Sequence, residues 1–579
     1  MRLSPILAGI AIGTLAAGLM FGLTRCSTIE GGSDANAPPN RYGSYLAGRH
    51  AANERDADAA ALYFDKALKF DPDNPELLER AIMSEVAQGD LDGAAHHAQG
   101  LLARAPNARI PHLVTGVVAL RDGGYAKARQ ELEKVTGNAA AEIGARFGVA
   151  YAHFSEGNFA AAEAVIAKMA ATEGVRAFAQ YHLAAIEDLS GRQQDALTHF
   201  EEANRLSSAS LRIMHAYATH LARMGRAAKA KEVYREFLKE APSNPVARAA
   251  LARLDAGEVP PRVIANARQG VAETFYGIAS SASDERSVEV PVFYLQLALA
   301  LDPTHELALS LLADRLETAE RYADAVAVYQ RIDAKSPLYL NARQQIAQNL
   351  AKLEKPDEAL ALLTQTLKGT LDDLEIYSSI GDVLRGQEKY AEAAEAYSKA
   401  IALVAKPEER HWALFYTRGI SYERSKRWQE AERDLKFALT LKPEQPLVLN
   451  YLAYTWVEQG VNRDKALKML KRAVELRPED GFIIDSLGWA YYRMGDFRTA
   501  IKHLEQAILL EPGEPTINDH LGDAYWRVGR WLEAKYQWQH ALTLKPEKSE
   551  EPKIRRKIEL GLVDLPPVPA QAGTPKSGQ

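Results

Sequence analysis

An alanine followed twelve residues later by a proline recurs eight times along this chain, and no other feature constrains its fold as strongly. The pairs are Ala60/Pro72, Ala94/Pro106, Ala230/Pro242, Ala325/Pro337, Ala431/Pro443, Ala466/Pro478, Ala500/Pro512 and Ala534/Pro546. Proline makes up only 27 of the 579 residues, so chance does not explain this spacing. A fixed period predicts a stack of similar units, each packing on its neighbours, rather than one large hydrophobic core.

The repeat that starts at Pro515 indicates what each position does. Gly522 and Ala534 are small where two helices would cross closely, and Gly529 ends the first helix. Pro546 ends the second helix because proline cannot continue the hydrogen-bond ladder. Large residues recur at helical spacing, which gives each helix one packing face. The full pattern is Leu521-Gly522, Tyr525, Gly529, Ala534, Trp538, Ala541 and Pro546.

This pattern resembles the tetratricopeptide repeat (TPR), a helix-turn-helix unit with a period of 34 residues. The resemblance implies an all-α fold, a TPR α-solenoid forming a right-handed superhelix of about 13–14 repeats in two arrays. The repeats are predicted to start at Arg41, Pro75, Arg109, Ile143, Ala177, Leu211, Ala272, Glu306, Leu340, Leu374, Trp412, Pro446, Gly481 and Pro515. The repeat at Ala272 departs furthest from the pattern, because Pro291 occupies its small-alanine position and Ser280–Ser287 makes a long loop.

The register and the turn residues predict how the whole chain is organised. Gly257–Pro261 ends in a Pro-Pro pair that cannot lie inside a helix, so a hinge between two arrays is expected there. The predicted segments are a signal or anchor segment at 1–26, a linker at 27–40, an N-terminal array of six repeats at 41–244, a capping helix and Pro-rich hinge at 245–271, a C-terminal array of seven to eight repeats at 272–548, a capping helix at 549–562 and a disordered tail at 563–579.

The N-terminus is typical of an exported protein. Arg2 precedes eighteen uncharged residues, Ile6–Leu23, which also reach the lower limit for a transmembrane helix. The single cysteine, Cys26, resembles the lipidated cysteine of a bacterial lipoprotein, although Arg25 stands where that family has a small residue. Three alternatives remain open: lipidation, an uncleaved anchor, and secretion after cleavage at Ala35–Ala37. All three predict a place in the bacterial cell envelope, on the periplasmic face, and the first two predict anchoring in the outer or the inner membrane.

Composition argues against several functions. The chain has 70 basic and 76 acidic residues and a net charge of −6, whereas nucleic-acid binding needs a concentrated basic surface. None of the fourteen histidines lies in a metal-protease pattern or pairs with a cysteine, and no phosphate loop or nucleophile elbow occurs. The sequence therefore predicts no cofactor, no metal, no nucleic-acid partner and no enzymatic activity. A helical cell-wall lyase that acts through one glutamate is the alternative enzyme hypothesis.

All seven tryptophans lie after residue 411. Four of them occupy packing or turn positions of the repeat and are interpreted as structural: Trp428, Trp456, Trp531 and Trp538. Trp489 and Trp526 instead lie at positions that face the concave groove in the TPR family. Aromatic residues interleaved with Asp and Arg are typical of a protein-binding hot spot, and the alternative is stacking between neighbouring helices. The predicted partner-binding residues are Tyr416, Arg424, Asn450, Tyr451, Tyr454, Phe482, Asp485, Trp489, Tyr492, Arg493, Asp519, His520, Asp523, Trp526 and Arg527.

The same positions of the N-terminal array carry a mainly apolar stripe. Such a stripe would receive an apolar helix or an extended peptide, be filled by the chain's own N-terminal segment, or be covered by tight packing between repeats. Its members are Ile110, Leu113, Val117, Leu120, Phe147, Tyr151, Phe154, Phe178 and Tyr181. The carboxylate clamp of chaperone-cofactor TPRs is not implied, because its Lys, Asn and Arg positions hold Tyr416, Ile420, Tyr451, Phe482 and Ser486.

Two segments, Asp485–Phe497 and Asn518–Arg530, look like parts of long bacterial TPR lipoproteins. The best understood of these are outer-membrane adaptors that bind a periplasmic processing protease and deliver cell-wall hydrolases to it. The resemblance implies a protein-interaction scaffold of this kind. The alternative is a scaffold of an outer-membrane or exopolysaccharide export complex.

Overall fold

The computed structural model describes residues 40–172, 174–281, 288–369 and 373–563. The helices in the first half of these residues are α1 Arg41–Asn53, α2 Ala57–Leu68, α3 Pro75–Gln88, α4 Leu91–Leu102, α5 Arg109–Arg121, α6 Tyr125–Leu132, α7 Ala139–Ser155, α8 Phe159–Ala170, α9 Arg176–Leu189, α10 Gln193–Leu206, α11 Leu211–Arg223, α12 Ala227–Glu240, α13 Pro245–Asp255, α14 Ala267–Ser281 and α15 Glu289–Leu301.

The remaining helices continue the same helix-turn-helix alternation. They are α16 Glu306–Thr318, α17 Tyr322–Tyr329, α18 Tyr339–Lys352, α19 Pro356–Gly369, α20 Leu374–Gly386, α21 Tyr390–Ala402, α22 Trp412–Arg424, α23 Trp428–Leu441, α24 Pro446–Gln459, α25 Arg463–Leu476, α26 Gly481–Arg493, α27 Phe497–Leu510, α28 Pro515–Arg527, α29 Trp531–Thr543 and α30 Glu551–Leu560. Within the described ranges the chain forms no β-strand. The all-α TPR solenoid predicted from the repeat pattern is thus confirmed.

The repeat register agrees closely with the helix boundaries. Ten of the fourteen predicted repeat starts coincide with the first residue of a helix, and the other four helices begin one to five residues earlier. Residues with positive φ follow the same period, because the turn between the two helices of each repeat needs a left-handed residue. They include Arg55, Gly89, Gly123, Gly157, Gly191, Gly225, Glu320, Glu354, Glu388, Lys426, Gly460, Gly495 and Gly529.

The crossing of the two helices within a repeat explains the small residues of the pattern. A Cβ atom at Gly522 would lie 2.5 Å from the ring of Trp538, so a side chain there would require the helices to separate. Trp538 itself is fully buried, and so are Ala534 and Ala541 on the same helix. The predicted packing roles of Trp538 and of the similarly buried Trp456 agree with this geometry.

The described residues fall into two compact units, divided between residues 371 and 372. We call α1–α19 the N-terminal unit and α20–α30 the C-terminal unit. This division differs from the predicted one, which placed the boundary in the hinge at 245–271. Pro260 and Pro261 do interrupt the helical pattern, as expected, but the chain then packs back onto the array that precedes it. The predicted C-terminal array, 272–548, is therefore split between the two units.

Two helices lie where the predicted capping helices were placed. Helix α13 corresponds to the first predicted capping helix, and α30, with Ile554 buried, corresponds to the second at 549–562. The signal or anchor segment, Cys26, the linker up to residue 39 and the tail after residue 563 lie outside the described residues. Of the helices that the structure describes, none combines the length and the apolar character needed to span a bilayer.

Candidate functional site

The predicted groove positions of the first helix in each repeat form an inner surface in each unit. In the N-terminal unit this surface is covered by α14. A Cβ at Gly277 would lie 2.6 Å from the ring of Phe178, and one at Gly144 would lie 2.6 Å from Phe275. Gly270 lies directly against the ring of Tyr151. The absence of side chains at these glycines lets α14 approach closely, so the apolar stripe forms part of the core.

The burial of the stripe agrees with this packing. Its six buried members are Leu113, Val117, Leu120, Phe147, Tyr151 and Tyr181, and its three partly buried members are Ile110, Phe154 and Phe178. On the opposing helix, Val271, Ala272 and Phe275 are fully buried. The segment that fills the N-terminal inner surface is therefore an internal one.

A buried ion pair fixes α14 to α11. Glu273, which is 2% exposed, accepts hydrogen bonds from Arg212, whose Nε lies 2.9 Å from Oε1. The imidazole of His305 lies 3.1 Å from the other oxygen of Glu273. Burial alone would raise the pKa of the Glu273 carboxyl, but Arg212 and His305 hold it far below the usual range. The carboxylate is thus charged and fully paired inside the N-terminal unit.

Two histidines lie close to this ion pair, of which His182 is fully buried and His215 is partly buried. The hydroxyl of Tyr151 is 2.9 Å from Nδ1 of His182, and the hydroxyl of Tyr234 is 2.8 Å from Nδ1 of His215. Burial lowers the pKa of His182 to about 3 and that of His215 to about 4. Both imidazoles are therefore neutral at neutral pH and act as hydrogen-bonding parts of the core.

The predicted hinge also lies on the N-terminal inner surface. Arg262 follows the Pro-Pro pair and donates from Nε to the carboxylate of Asp188 over 2.9 Å. Arg223 donates to the same carboxylate over 2.6 Å, and Ile264 is 5% exposed. Although burial alone would raise the pKa of Asp188, the nearby imidazole of His220 and the hydrogen bond from Arg223 hold it at about 2. This segment, residues 260–264, packs on the inner surface, and we call it the strap. Together with α14, the strap closes the N-terminal inner surface.

The C-terminal inner surface stays accessible over its first repeats. Tyr416 and Tyr451 meet edge to face, with ring centroids 6.0 Å apart, and both keep part of their surface exposed. The hydroxyl of Tyr451 donates to Glu423 over 2.9 Å. The guanidinium of Arg424, an exposed residue, lies over the ring of Tyr390 at 5.5 Å. These residues belong to α21, α22 and α24 and form a continuous aromatic and charged surface.

Asn450 and Tyr454 continue this surface along α24. Asn450 carries a buried Oδ1 atom that has no hydrogen-bond partner among the described residues. Burial raises the pKa of Tyr454 well above its ordinary value and that of Tyr416 to about 12, so both remain protonated donors. Asn450 as a whole is partly exposed, so this part of the surface combines aromatic rings and phenol hydroxyls with an amide side chain.

Trp489 lies in a stack of three rings. Its indole is parallel to Tyr492 at 4.6 Å and to His520 at 3.9 Å. Its Nε1 donates to Glu458 over 2.6 Å, and Arg493 donates to the same Glu458 oxygen over 2.8 Å. The stacking alternative therefore describes Trp489 well, since both faces of its ring are covered. Phe482, about two turns earlier on α26, is 38% exposed.

His520 pairs with Asp485 beneath this stack. Its Nδ1 lies 3.0 Å from Oδ1 of Asp485, and both residues are buried. Burial alone would lower the pKa of His520, but the charge of Asp485 outweighs that effect and raises it. These two predicted groove residues therefore hold α26 and α28 together rather than pointing outward.

The last repeat is covered by the capping helix. Lys557 of α30 donates to Asp519 over 2.7 Å and to Asp523 over 2.9 Å. Asp523 also accepts a hydrogen bond from Nε1 of Trp538 over 2.9 Å. Burial and the charge of Asp519 outweigh Lys557 and raise the pKa of Asp523 to about 6. Asp519 and Asp523 are thus internal partners of α30.

Trp526 is also covered, by the residues that follow α30. The backbone of Gly561 packs directly on its ring, and Leu562 contacts the same hydrophobic cluster. Arg527 lies over the ring of Phe497 at 4.5 Å. Three members of the predicted set, Arg424, Phe482 and Arg493, are exposed. The partly exposed members are Tyr416, Asn450, Tyr451, Tyr454, Trp489, Asp519, Trp526 and Arg527.

The sequence pattern missed three residues that organise this surface. Glu423 and Glu458 occupy late positions of helices in the groove register, where their pairing with Tyr451 and Trp489 could have been anticipated. Lys557 lies in the second half of the capping helix. Counting the capping helix as one more first helix of the register would have found it.

Comparisons with known proteins agree with the fold. Family profiles described as tetratricopeptide repeat match residues 80–143 and 345–408, 211–254, and 483–514. The TPR repeat-containing protein PA4667 of Pseudomonas aeruginosa is 26% identical over 163 residues, which cover 28% of this chain and 27% of that protein. The protein O-mannosyl-transferase TMTC1 of Homo sapiens is 26% identical over 140 residues, 24% of this chain and 15% of that protein. The matches thus span about a quarter or less of each relative.

Solved structures with similar repeats extend over most of the chain at low identity. The Cut9-Hcn1 hetero-tetramer matches with a TM-score of 0.38 and 13% identity, covering 90% of this chain and 96% of that one. Yeast Tom70 matches with a TM-score of 0.30 and 15% identity, with the same coverages. YrrB, a TPR protein with an unusual peptide-binding site, matches with a TM-score of 0.26 and 20% identity over 34% of this chain and 97% of that one. The repeat profiles, the 34-residue register and the helical pairs together identify the chain as a member of the tetratricopeptide-repeat family.

Proposed function

We propose that this chain is a non-enzymatic scaffold that binds a partner protein on the inner surface of its C-terminal unit. TPR folds generally serve as protein-interaction scaffolds, and the proposal names the surface and the unit. The observation that carries it is the contrast between the two inner surfaces. The N-terminal one is filled by α14 and the strap, whereas Tyr416, Arg424, Asn450 and Tyr454 remain accessible.

The chemistry of this surface suits an extended segment of a partner. Aromatic residues and Arg are enriched in binding hot spots because they bury a large area at a small cost in conformational entropy. Asn450, which is partly exposed on α24 beside these rings, adds a polar side chain to the surface. Tyr416 and Tyr454 supply ring faces and hydroxyl donors on either side.

Capture of partners by the full-length protein tests this proposal. Arg424→Ala and Asn450→Ala should each reduce the recovery of the partner from an envelope extract, while circular dichroism stays unchanged. Arg498→Ala, which removes an exposed arginine from α27 outside the C-terminal inner surface, is the matched control and should retain the partner. Equal recovery with all three variants would contradict the proposal.

We further propose a place in the cell envelope, with Cys26 as the lipidated anchor. The support is the sequence alone: Arg2, the apolar stretch Ile6–Leu23 and the cysteine that follows it. Cys26→Ser should abolish labelling by a lipid analogue and release the protein from membranes. Labelling that persists, or a cytosolic location before and after the change, would contradict it.

Within the envelope, the proposed role is to deliver substrates to a periplasmic protease, as the resemblance to bacterial adaptor lipoproteins implies. The partners captured by the wild-type protein decide between the alternatives. A protease together with cell-wall hydrolases supports the adaptor role, whereas a polymer synthase and a porin support an export scaffold. Release of soluble fragments from purified cell wall by the protein alone would instead indicate a lyase.

A further inference from the structure

Helix α29 exposes an apolar face at the end of the C-terminal unit. Trp531, Leu532 and Tyr536 are 62%, 68% and 64% exposed, whereas Ala534 and Trp538 on the opposite face are fully buried. In a stack of repeats the second helix of the next repeat would cover such a face. Helix α30 stands where the first helix of that repeat would lie, and no second helix follows it among residues 549–563.

The chain leaves the described structure beside this face. Gly561 has φ of 73° and turns the backbone onto the ring of Trp526. Leu562 packs into the same cluster, and the next residue, Val563, is 59% exposed. The rings of Trp526 and Trp531 are 6.2 Å apart, so the surface on which Gly561 and Leu562 rest continues into the exposed face of α29.

We propose that the segment Leu565–Pro569 docks on the exposed face of α29, over Trp531, Leu532 and Tyr536. Its sequence is Leu-Pro-Pro-Val-Pro, two branched apolar residues among three prolines. Prolines restrict a chain before it binds, which lowers the entropy lost on docking, and proline-rich segments bind surfaces lined by aromatic rings. An extended chain advances about 3.1 Å per residue, so the two residues from Val563 to Leu565 span roughly the gap between Trp526 and Trp531.

The occupant is a segment of this chain because the contact already begins with Gly561 and Leu562. A tethered segment meets the face at a high effective concentration, which a separate molecule lacks. A second copy of the chain or a separate partner protein could also cover the face, and the experiments below distinguish these outcomes. The proposal is independent of the partner-binding function of the inner surface.

Directed disulfide formation in the full-length protein tests the contact. The chain has a single cysteine, Cys26, so Cys26→Ser gives a background without other thiols. Leu532→Cys combined with Val568→Cys should form an intramolecular disulfide under mild oxidation, because a disulfide requires Cα atoms about 4.4–6.8 Å apart. Leu509→Cys with Val568→Cys is the control, since Leu509 is 82% exposed but lies near the C-terminal end of α27. Equal yields in the two pairs would overturn the proposal.

Oxidative footprinting measures, without engineered thiols, whether the exposed face of α29 is covered. Truncation after Val563 should raise the hydroxyl-radical reactivity of Trp531 and Tyr536 severalfold at low protein concentration. Leu565→Asp with Val568→Asp should do the same without shortening the chain, which excludes an effect of truncation on folding. Full reactivity in the wild-type protein would overturn the proposal. So would protection that depends on concentration and persists after truncation, which would assign the cover to a second copy.

Discussion

The inner surfaces of the two units have the same repeat register, but they differ in whether other segments cover them. In the N-terminal unit the surface is closed by α14 and by the strap around Arg262, and its aromatic residues belong to the core. In the C-terminal unit the surface from Tyr416 to Tyr454 remains partly exposed, and among the described residues α30 covers the last repeat. A TPR register therefore predicts where a groove can form, but other segments of the chain decide whether it stays open.

Three glycines and one ion pair explain why the N-terminal surface is closed. Gly144, Gly270 and Gly277 bring helix backbones against aromatic rings, and Phe275 and Val271 then bury their whole side chains. Each large apolar side chain buried in this way contributes about 1.5–3 kcal/mol. Glu273 and Arg212 satisfy each other inside the contact, so closure leaves neither charge unpaired.

The largest expected difference between the two surfaces comes from one substitution made in each. Phe275→Ala removes a fully buried ring from the N-terminal unit and should lower the free energy of unfolding by about 3–5 kcal/mol. Phe482→Ala removes a ring that is 38% exposed on the C-terminal surface and should change stability much less. Urea unfolding followed by circular dichroism, with hydrogen exchange to assign the unit, provides the measurement. Similar losses for the two variants would abolish the distinction.

Two histidines of the N-terminal unit and one aspartate of the C-terminal unit should contribute to the pH dependence of stability with opposite signs. His182 and His215 have pKa values of about 3 and 4, below that of an unfolded histidine, so the unfolded N-terminal unit binds more protons as the pH falls from 7 to 5. Each histidine should then cost this unit about 2 kcal/mol at pH 5. Asp523 has a pKa of about 6, above that of an unfolded aspartate, so the folded C-terminal unit binds more protons and should gain about 1 kcal/mol.

Hydrogen exchange at pH 7 and pH 5, corrected for intrinsic exchange rates, measures both effects in one sample. Protection of α9 and α11 should fall on acidification, while protection of α28 should hold or rise. His182→Gln keeps a hydrogen-bonding side chain beside Tyr151 and cannot titrate, so it should flatten the pH dependence of the N-terminal unit. Parallel losses of protection in the two units would contradict the assignment of these groups.

The capping helix should hold the last repeat less tightly than α14 holds the N-terminal surface. Lys557→Met leaves Asp519 and Asp523 without their ammonium partner and should cost about 1–2 kcal/mol. Exchange in α30 should accelerate, and the fluorescence of Trp526 should change as Gly561 moves away. Lys553→Met is the matched control, because Lys553 is exposed and pairs only with Glu550 on the same helix. An unchanged exchange rate in Lys557→Met would show that apolar contacts alone hold α30.

The fold could be predicted from the sequence because its determinants are local. The small residue at Gly522, the turn at Gly529 and the packing ring at Trp538 lie within one repeat, so the period reveals them without any knowledge of distant contacts. The hinge at 245–271 stays a prediction, because whether a joint forms there depends on distant contacts. Pro260 and Pro261 do break the helix, but the fate of the segment that follows depends on contacts such as Gln296 with Ala87, which are 209 positions apart.

The candidate site could be predicted only in part. The register placed Tyr416, Asn450 and Tyr454 on one surface, as the structure has them, whereas a helix outside the repeats, α30, covers Trp526. Trp531, interpreted as structural from its turn position, is 62% exposed because no second helix follows α30 among the described residues. Position in the repeat therefore fixes the direction of a side chain, while the end of the array and its covering segments fix the exposure.

Substitutions on the C-terminal inner surface should change stability least. The same substitutions should change partner binding most. Tyr454→Ala removes a partly exposed ring from α24 and should cost no more than about 1 kcal/mol of stability. If the C-terminal inner surface binds the partner, the same change should weaken binding by about 2 kcal/mol, roughly thirty-fold in Kd. Calorimetric titration of the captured partner into each variant measures this loss.

Tyr491→Ala is the matched control for Tyr454→Ala, because this tyrosine is also partly buried and stacks on His503, away from the inner surface. It should reduce stability to a similar extent and leave partner affinity unchanged, since the two residues differ in the face they occupy and not in their chemistry. A loss of affinity in both variants would mean that the binding defect follows from stability. A loss in neither would place the partner outside the C-terminal inner surface, and since the N-terminal inner surface is filled by α14, the binding site would then have to lie on an outer face of the repeats.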